Sequence, residues 1–521
     1  MSNLFYIGIG GTGARVAEAL VHLCAAGHGP SDLFLFLVDP DEGNGNLSRT
    51  KTLIAKYQDV RRRIKDRAEG VNFFRTNIVT PDPLVWTIFS DQNMALSRYI
   101  GLSNMKLTDP ALAQLAEALF SQEELNTALN EGFRGHPSIG AVVMARPDET
   151  RDPWKTFYDQ IANLTRPGDA KVFLVGSIFG GTGAAGVPTF ASEKLIKFHK
   201  TASIEEGKSS KVHLGGCLVL PYFTFSLDVP EAERQRMHVT PSDFPLATRA
   251  ALQYYALRKL NFDDVYLVGD SLQDGRVGDF APGAARQDNS PHYIEMASAL
   301  AAVDFFARSE PGMRPAANYF TAARAGDEIT WSGLPVSRSV ANIKQEQDRL
   351  RHRLVTSTLF FYSLCTYGRE ALVDSDIGRQ YWYKENFRLR IKGNEDESVR
   401  YDPRGSTQKD ILERIAAYGE LFLEWLGRIH QHPQVKLLDV RKILDSELKP
   451  LTRAQAPRGI GSLVGGREAT FDAFIQDLDS VGELRGNLAA ATAADKYVNL
   501  YGLASNRYAR TRLDVQAPEG N

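Results

Sequence analysis

Short apolar runs alternate with segments of helical periodicity over the first three hundred residues. Five apolar runs are typical of buried strands, at Leu4–Ile9, Asp32–Val38, 171–177, Lys211–Leu220 and Asp264–Val268. Between them, helical periodicity predicts helices at Ala14–Cys24, Asp152–Leu164 and Pro245–Leu260. Strands that alternate with helices pair in parallel, so the pattern predicts an α/β fold with a Rossmann-like, doubly wound parallel sheet.

Two stretches depart from this alternation. Residues 48–131 are polar and largely helical in pattern, with an amphipathic helix over Pro110–Asn130, and we interpret them as an insertion. Beyond residue 308 strand signals are weak, and helical periodicity recurs near 341–366, 407–430, 434–448 and 468–485. A single core rarely grows past about 300 residues. We therefore expect a sheet domain over 1–308 and a mostly helical C-terminal domain over 309–521.

Composition excludes some classes of function without choosing one. The 521 residues carry a formal net charge of −2, so a basic surface for nucleic acid is not expected. The basic run at 61–67 is interleaved with carboxylates, which favours a solvated helix face. Three cysteines lie far apart in apolar surroundings, as buried structural thiols do: Cys24, Cys217 and Cys365. With no visible signal peptide or membrane-spanning run, we expect a cytoplasmic protein.

The first candidate for chemistry is a glycine turn directly after the first predicted strand. It has the pattern Gly8-x-Gly10-Gly-x-Gly13, and Asp39 closes the second predicted strand. This is the context of a dinucleotide-binding fingerprint. Glycines at these positions also suit close packing of a helix on a strand, without any ligand. The pattern alone leaves both interpretations open.

A second glycine turn stands near the middle of the chain. The strand-like run from Val172 leads into glycines at 180, 181, 183 and 186, and a helical segment follows over Val187–Ile196. Glycines free backbone N–H groups to point at an anion, and the positive end of the helix dipole adds to that site. Phosphate binding is the natural interpretation.

One resemblance applies to the first glycine turn. Gly8–Arg15, followed by Val38–Arg49, resembles the adenylation domain of ubiquitin-activating-type enzymes, in which an acidic pair and a later Asn-Leu-x-Arg engage ATP. The resemblance covers about 45 residues. Those enzymes carry a transfer cysteine or a paired CxxC zinc site downstream, and Cys217 and Cys365 provide neither.

A second resemblance covers much more of the chain. The segment Gly176-Ser-Ile-Phe-Gly-Gly-Thr-Gly-Ala-Ala-Gly-Val-Pro188 is similar to the signature of the tubulin and FtsZ superfamily, a strand ending in Gly-Gly-Thr-Gly before a helix. Further segments resemble parts of that nucleotide site in the same order, at 8–13, Val38–Asp41, Gly132–Gly140, Leu220–Phe225 and Pro291–Glu295. The resemblance spans about residues 4–308 and points to the bacterial tubulin-like proteins.

The resemblance implies a nucleotide site for GTP or GDP with Mg²⁺. The phosphates would lie on two loops, made of Gly10, Gly11, Thr12 and Gly13 and of Gly180, Gly181, Thr182 and Gly183. A third loop would face the terminal phosphate, at Gly135, His136 and Pro137. A purely structural role is the alternative for His136, since a histidine in a Gly-Pro loop often makes only local hydrogen bonds.

Four more residues complete the implied site. Tyr293 would stack on the guanine, and Asp270 would accept from the guanine N–H groups in place of the family's asparagine. Asp39 would contact the nucleotide, and Asp41 would hold Mg²⁺. Asp39 and Asp41 also suit a turn, and Tyr293 also suits the edge of a core.

The sequence assigns no catalytic residue. Asp304 lies only 11 residues beyond Tyr293, about 16 Å along a helix at 1.5 Å per residue, too short to reach a neighbouring subunit's nucleotide. Asp327 and Glu328 follow intervening prolines, and their placement cannot be read. We expect a tubulin/FtsZ-like GTP-binding protein, either a GTPase that forms filaments or a nucleotide-dependent switch. The alternatives are an ATP-dependent adenylating enzyme and a nucleotide-binding interaction protein without turnover; its protein partners are unknown.

Overall fold

A computed structural model places most of the chain. The residues it describes are 3–87, 94–126, 129, 133, 136–145, 150–163, 170–194, 212–226, 241–258, 260, 262–270, 276–279, 288–308, 317–322, 328–334, 336, 343–373, 380–387, 402–432, 434–437, 471–484, 492–513 and 515. They divide into two compact units. Unit 1 comprises Met1–Ala19, Asp32–Lys51 and Ile78–Ala323, and unit 2 comprises Leu20–Ser31, Thr52–Asn77 and Arg324–Asn521.

A mostly parallel sheet dominates unit 1. Eight described strands form it: β1 (Leu4–Ile9), β2 (Asp32–Val38), β3 (Asn77–Val79), β4 (Val85–Trp86), β5 (Ala170–Ser177), β6 (Val212–Val219), β8 (Asp264–Val268) and β10 (Asn318–Ala322). A separate two-stranded sheet pairs β7 (Thr224–Ser226) with β9 (Arg276–Asp279). The order in the large sheet is β10-β8-β6-β5-β1-β2-β3, and β4 also pairs with β2. The prediction of an α/β fold with a parallel sheet is confirmed.

The central strands owe their position to apolar side chains on both faces. All eight residues of β6 are buried, as are the last five of β1 and the last six of β5. A strand that is apolar on both sides needs cover on both faces, which crossover helices provide in parallel sheets. Phe5 of β1 packs edge-on against Phe157, with the ring centroids 5.4 Å apart. The core of unit 1 therefore forms around β1 and β5.

The helices up to residue 307 follow the sequence pattern in most places. They are α1 (Gly10–Ala25), α2 (Gly45–Arg63), α3 (Leu96–Tyr99), α4 (Leu102–Thr108), α5 (Pro110–Leu119), α6 (Gln122–Leu125), α7 (Pro137–Met144), α8 (Trp154–Ala162), α9 (Gly181–Thr189), α10 (Phe244–Arg258) and α11 (Tyr293–Ala307). A π-helical turn, Phe190–Lys194, continues α9. The main difference is that α1 and α9 begin within the glycine turns.

The stretch at 48–131 differs from its largely helical prediction. Two of its segments, β3 and β4, join the large sheet, one before and one after Pro81-Asp-Pro83. The predicted helix at Pro110–Asn130 is shorter, because α5 ends at Leu119 and the backbone of Phe120 is extended. Ser121 then starts α6 with a capping box that Glu124 completes. The capping box gives this helix its own beginning.

The described part of unit 2 beyond residue 342 is built from helices. They are α12 (Ile343–Ser363), α13 (Arg369–Ala371), α14 (Tyr381–Phe387), α15 (Ser406–His430), α16 (Phe471–Leu484) and α17 (Ala493–Arg512), with a π-helical turn at Leu364–Gly368. The sequence pattern missed α14, α17 and the strand β10. The helix predicted at 434–448 does not start at 434, since Val435 forms an isolated bridge with Ile329. Its remainder lies outside the described residues, and the domain boundary near 308 stays a prediction.

Aromatic packing holds unit 2 together. His22 stacks on Trp425 with the ring centroids 4.7 Å apart, and the Tyr418 hydroxyl lies 3.3 Å from His22 Nδ1. Phe73 stacks on Phe360 at 4.3 Å. These residues come from distant parts of the sequence, so each contact closes a long loop of chain.

Candidate functional site

Both glycine turns lie at the point where the order of strands reverses. β1 and β5 are parallel neighbours, with Leu4 opposite Lys171 and Gly8 opposite Val175. From this pair the strand order runs outward to β2 and β3 on one side and to β6, β8 and β10 on the other. In doubly wound sheets, ligands bind beyond the carboxyl ends of the strands at such a switch point. The turns at 10–13 and 180–183 follow β1 and β5 there.

The two turns approach each other closely at Gly10. This residue has a φ of +72°, in the left-handed region. A Cβ atom there would lie 3.2 Å from Thr182 Cβ and 3.3 Å from Thr182 Cγ2. A side chain at position 10 would therefore be strained and would press on the second turn. The structure brings together two loops that are 170 residues apart in the sequence.

The last glycine of each turn has a structural explanation. A Cβ on Gly13 would lie 2.6 Å from the Gly8 carbonyl carbon and 2.8 Å from the Val175 oxygen. A Cβ on Gly183 would lie 2.3 Å from the Ser177 oxygen. Backbone atoms cannot move aside as a side chain can, so both positions require glycine for helix–strand packing. Gly13 and Gly183 need no ligand to account for them.

Gly11 and Gly180 are less constrained by protein atoms. The nearest atom to a Cβ on Gly11 would be Asn44 Nδ2 at 3.5 Å, and on Gly180 it would be Ser177 Oγ at 3.3 Å. Gly180 is the N-cap of α9, and no side chain caps that helix end. The first N–H groups of a helix have no partner within it, and the helix dipole makes that end positive. The N-termini of α1 and α9 thus offer amides to an anion.

A third helix begins beside the first turn. Asn44 caps α2, since its Oδ1 accepts from the N–H groups of Asn46 at 3.0 Å and Leu47 at 3.3 Å. Asn46 is fixed in turn by Asn289: its Nδ2 donates to Asn289 Oδ1, and its Oδ1 accepts from the Asn289 N–H. The sequence analysis did not single out Asn44. Its position before a helical segment, in a Gly-Asn-Gly-Asn run, is the signal that was available.

The two predicted carboxylates lie together at the end of β2. The Asp41 N–H donates to Asp39 Oδ1 at 3.0 Å, and both residues are buried. Burial raises the pKa of Asp39 to about 7, against the lowering effect of that hydrogen bond, and the Asp41 charge raises it further. The described residues hold no group of three side chains suited to a metal. The pair fits an ion that takes its other ligands from phosphate and water, as Mg²⁺ does.

A buried polar network anchors the first turn to the start of α11. The Tyr222 hydroxyl donates to Glu295 Oε1 at 2.7 Å, and the side chain of Thr12 shares a hydrogen bond with the same hydroxyl. Arg15 forms a buried ion pair with Glu295 and donates to the Ser290 oxygen at 2.9 Å. Burial raises the pKa of Glu295, and Arg15 opposes that shift.

This network changes the interpretation of Thr12. Its hydroxyl is engaged with Tyr222, so its backbone N–H is the group that remains for a phosphate. Arg15 and Glu295 were missed in the sequence because 280 positions separate them. The start of α11 carried a readable sign, since His292 and Glu295 form a capping box.

The remaining predicted residues lie around this network. Tyr293 is buried, and its ring centroid is 4.5 Å from that of His292. Asp270 is half-buried and lies two residues beyond β8. His136 caps α7 by its backbone position, and its Nδ1 lies 3.0 Å from Glu124 Oε1, which matches the local role considered above. Gly135 and Asp327 lie outside the described residues.

The fold and site together define a doubly wound α/β unit with two glycine loops at its switch point. No protein-family profile matches the chain, and no curated protein matches it significantly. Among solved structures, it is similar to CetZ2 from Haloferax volcanii in a GTPγS-bound protofilament, at 15% identity and a TM-score of 0.26, over 58% of each chain. It is also similar to CetZ from Methanosaeta thermophila, at 12% identity and a TM-score of 0.20, over 52% of this chain and 46% of that one.

Both structures share little with this chain beyond a partial overlap. The chain covers less than two thirds of either of them. In the described part of the chain, no helix has the length and apolar character needed to cross a bilayer.

Proposed function

We propose that this protein binds a guanine nucleotide at the switch point of unit 1, as a tubulin/FtsZ-like switch or filament-forming GTPase. One observation carries the proposal: the two Gly-Gly-Thr-Gly loops meet where β1 and β5 end, with a Cβ on Gly10 only 3.2 Å from Thr182 Cβ. Two helix N-termini then face one space. A nucleotide's phosphates are the group that best suits such an arrangement.

The phosphate site would rest on neutral groups of the backbone. The N–H groups of Gly10–Gly13 belong to the first turn of α1, and those of Gly181–Gly183 to the first turn of α9. Asp39 and Asp41 would hold Mg²⁺ beside the phosphates, and the ion would supply positive charge there when bound. Any hydrolysis would depend on positioning and electrostatic stabilisation rather than on a covalent intermediate.

The choice of guanine rests on the motif resemblance, in which Tyr293 would stack on the base and Asp270 would take the place of the family's asparagine. The assignment to a bacterial branch of the superfamily rests on the collinear resemblance over about residues 4–308. A cytoplasmic location and self-association belong to the same proposal. No catalytic residue is assigned: Asp304 accepts hydrogen bonds from Tyr266 at 2.6 Å and Arg308 at 2.7 Å, which gives it a structural role.

The adenylation alternative gains less from the geometry. Its motif would use Arg49 on the phosphates of ATP. In the structure, both Arg49 Nε and Nη2 donate to the Glu18 carboxylate, Nη2 at 2.7 Å, and Nη1 pairs with Asp288. Burial lowers the pKa of Arg49, but its carboxylate neighbours, chiefly Glu18, outweigh that effect and raise it overall. Arg49 would have to leave two carboxylates to reach a nucleotide.

The first experiment identifies the nucleotide that copurifies with the full-length protein, by denaturation and anion-exchange chromatography. GTP and ATP are then added separately, while light scattering and phosphate release are followed. Guanine nucleotide with scattering or phosphate release supports the filament or GTPase form, and binding alone supports the switch. ATP–pyrophosphate exchange would favour adenylation, and no bound nucleotide of any kind contradicts the proposal.

A Gly181→Asp variant tests the loop itself. A carboxylate in the first turn of α9 repels phosphate and occupies its space, so nucleotide affinity should fall at least 100-fold. Gly333→Asp is the matched control, because no atom lies within 4 Å of a Cβ at that position. Equal affinity in the two variants would show that the phosphates lie elsewhere.

A further inference from the structure

Cationic side chains accumulate on one face of α12 in unit 2. Arg349 and Arg353 are four residues apart and therefore lie one above the other on the helix. Arg353 is only 8% exposed, and the adjacent His352 is 5% exposed. Buried arginine is rare unless a carboxylate or other acceptor accompanies it.

Further cationic side chains lie close enough to these residues to interact with them electrostatically. Burial lowers the pKa of Arg353 to about 10, and the charges of Arg75 and Arg349 lower it further. Burial, Arg353 and Arg349 lower the pKa of His28 to about 4. Burial and the charges of Arg353 and Arg510 lower the pKa of His352 to about 4 as well. We call this group the cation cluster, and its members are His28, Arg75, Arg349, His352, Arg353 and Arg510.

Little negative charge balances the cation cluster within the described residues. Glu346 pairs with Arg349 at 2.7 Å, and Arg75 donates to the Val71 oxygen at 3.1 Å. Among the residues that the structure describes, no carboxylate forms an ion pair with Arg353, which is 8% exposed, and His352 Nε2 is buried without a hydrogen-bond partner. A buried charge left uncompensated is strongly unfavourable. An anion bound beside these side chains would lower that cost.

We propose that the cation cluster is a binding site for a tetrahedral oxyanion, either inorganic phosphate or the phosphate group of a phosphomonoester. Guanidinium groups present planar forks of donors that match phosphate oxygens, and several of them together suit a dianion. The histidines are neutral at pH 7 and add N–H donors. This site uses residues of unit 2 alone and is independent of the nucleotide proposed for unit 1.

The test compares full-length wild type with Arg353→Met, in sodium phosphate against sodium chloride of equal ionic strength. In chloride, Arg353→Met should melt at a higher temperature than wild type, because an uncompensated buried charge is removed. In phosphate, wild type should gain stability and the variant should not. Calorimetric titration should give a dissociation constant for phosphate at least tenfold weaker in Arg353→Met. Arg351→Gln, on the same helix, is the control that should bind as wild type does.

Three further arms make the result unambiguous. Gly181→Asp should retain the phosphate response, which separates this site from the glycine loops. Glycerol 2-phosphate is titrated beside inorganic phosphate, and the tighter of the two identifies the source of the phosphate group. If Arg353→Met does not fold, NMR titration of wild type replaces it, and phosphate should raise the pKa of His352. No phosphate response in wild type, an equal response in Arg353→Met, or an unmoved His352 would overturn the proposal.

Discussion

The two units each contain a place suited to an anion, and they build it by opposite means. In unit 1 the groups are backbone N–H donors at the N-termini of α1 and α9, and the nearest side chain across the gap is the neutral Thr182. In unit 2 the groups are charged side chains gathered around Arg353. The first is a matter of backbone geometry, and the second is a matter of charge.

The two sites are sensitive to different kinds of change. A site made of amides depends on the close approach of helices and strands, so an added methyl group damages it while a change of pH in the neutral range leaves the donors intact. A site made of buried cationic side chains responds instead to anions and to the protonation of its histidines.

Gly183→Ala should be the most damaging of these substitutions. Its Cβ would lie 2.3 Å from the Ser177 oxygen, so α9 must move away from β5. We expect a loss of about 3 kcal/mol in the free energy of unfolding, at the upper end for an overpacked site. Urea denaturation measures it. Gly180→Ala is the control, since its closest contact is the movable Ser177 hydroxyl at 3.3 Å; equal losses would contradict the packing argument.

Tyr222→Phe tests the network that holds the first loop. The substitution removes a donor to the buried Glu295 carboxylate and a partner of Thr12. Hydrogen bonds to charged groups are worth more than neutral ones, so we expect a loss of about 2 kcal/mol. Tyr255→Phe is the matched control, because the Tyr255 hydroxyl donates at 2.8 Å to a neutral acceptor, the Ala184 oxygen. A loss no greater than the control's would show that the network contributes little.

Gly10→Ala tests whether the two loops face each other. Alanine at a φ of +72° is strained by about 1 kcal/mol, and its methyl group would press on Thr182. We expect about tenfold weaker nucleotide binding by calorimetric titration, which is about 1.4 kcal/mol.

The second substitution of a double-mutant cycle separates the two causes. Thr182→Ser removes the Cγ2 atom that would lie 3.3 Å from the new methyl group. Part of the lost affinity should return in the Gly10→Ala, Thr182→Ser double variant, since neighbouring changes are not additive. Strict additivity would mean that the loops do not touch in solution.

The sequence predicts the backbone site of unit 1 much better than the side-chain cluster of unit 2. The glycine loops were predictable because strand, turn and helix are consecutive, and residues 4–13 and 170–189 carry their own local pattern. Their meeting at Gly10 and Thr182 depends on β5 pairing with β1, which the alternation of elements suggested and the sheet order established. The short strands β3 and β4 escaped because two or three residues show no periodicity.

The cation cluster was invisible for the opposite reason. Its residues come from four separate parts of the chain, around His28, Arg75, Arg349–Arg353 and Arg510, and none of these forms a motif. Likewise, Arg15 and Glu295 are unremarkable alone and become a buried ion pair only when α1 packs near the start of α11. Local patterns predict elements and loops, while pairings of single side chains across long loops require the folded chain.

The smallest expected effect concerns pH and His352. Its pKa is about 4 in the folded chain, below about 6.5 in an unfolded one, so between these values the unfolded state binds more protons. Stability is therefore full above pH 6.5 and declines as the pH falls toward 4. At pH 5.5 the histidine should lower the free energy of unfolding by about 1 kcal/mol relative to pH 7.5, and calorimetry of the full chain in chloride buffer measures the difference.

The His352→Gln variant should make this decline in stability shallower, leaving the part that His28 contributes. Phosphate should also make it shallower in wild type, because an anion beside Arg353 favours the protonated histidine. An unchanged slope in the variant would mean that His352 does not titrate in this range, and the contrast with the amide site would then rest on Arg353 alone.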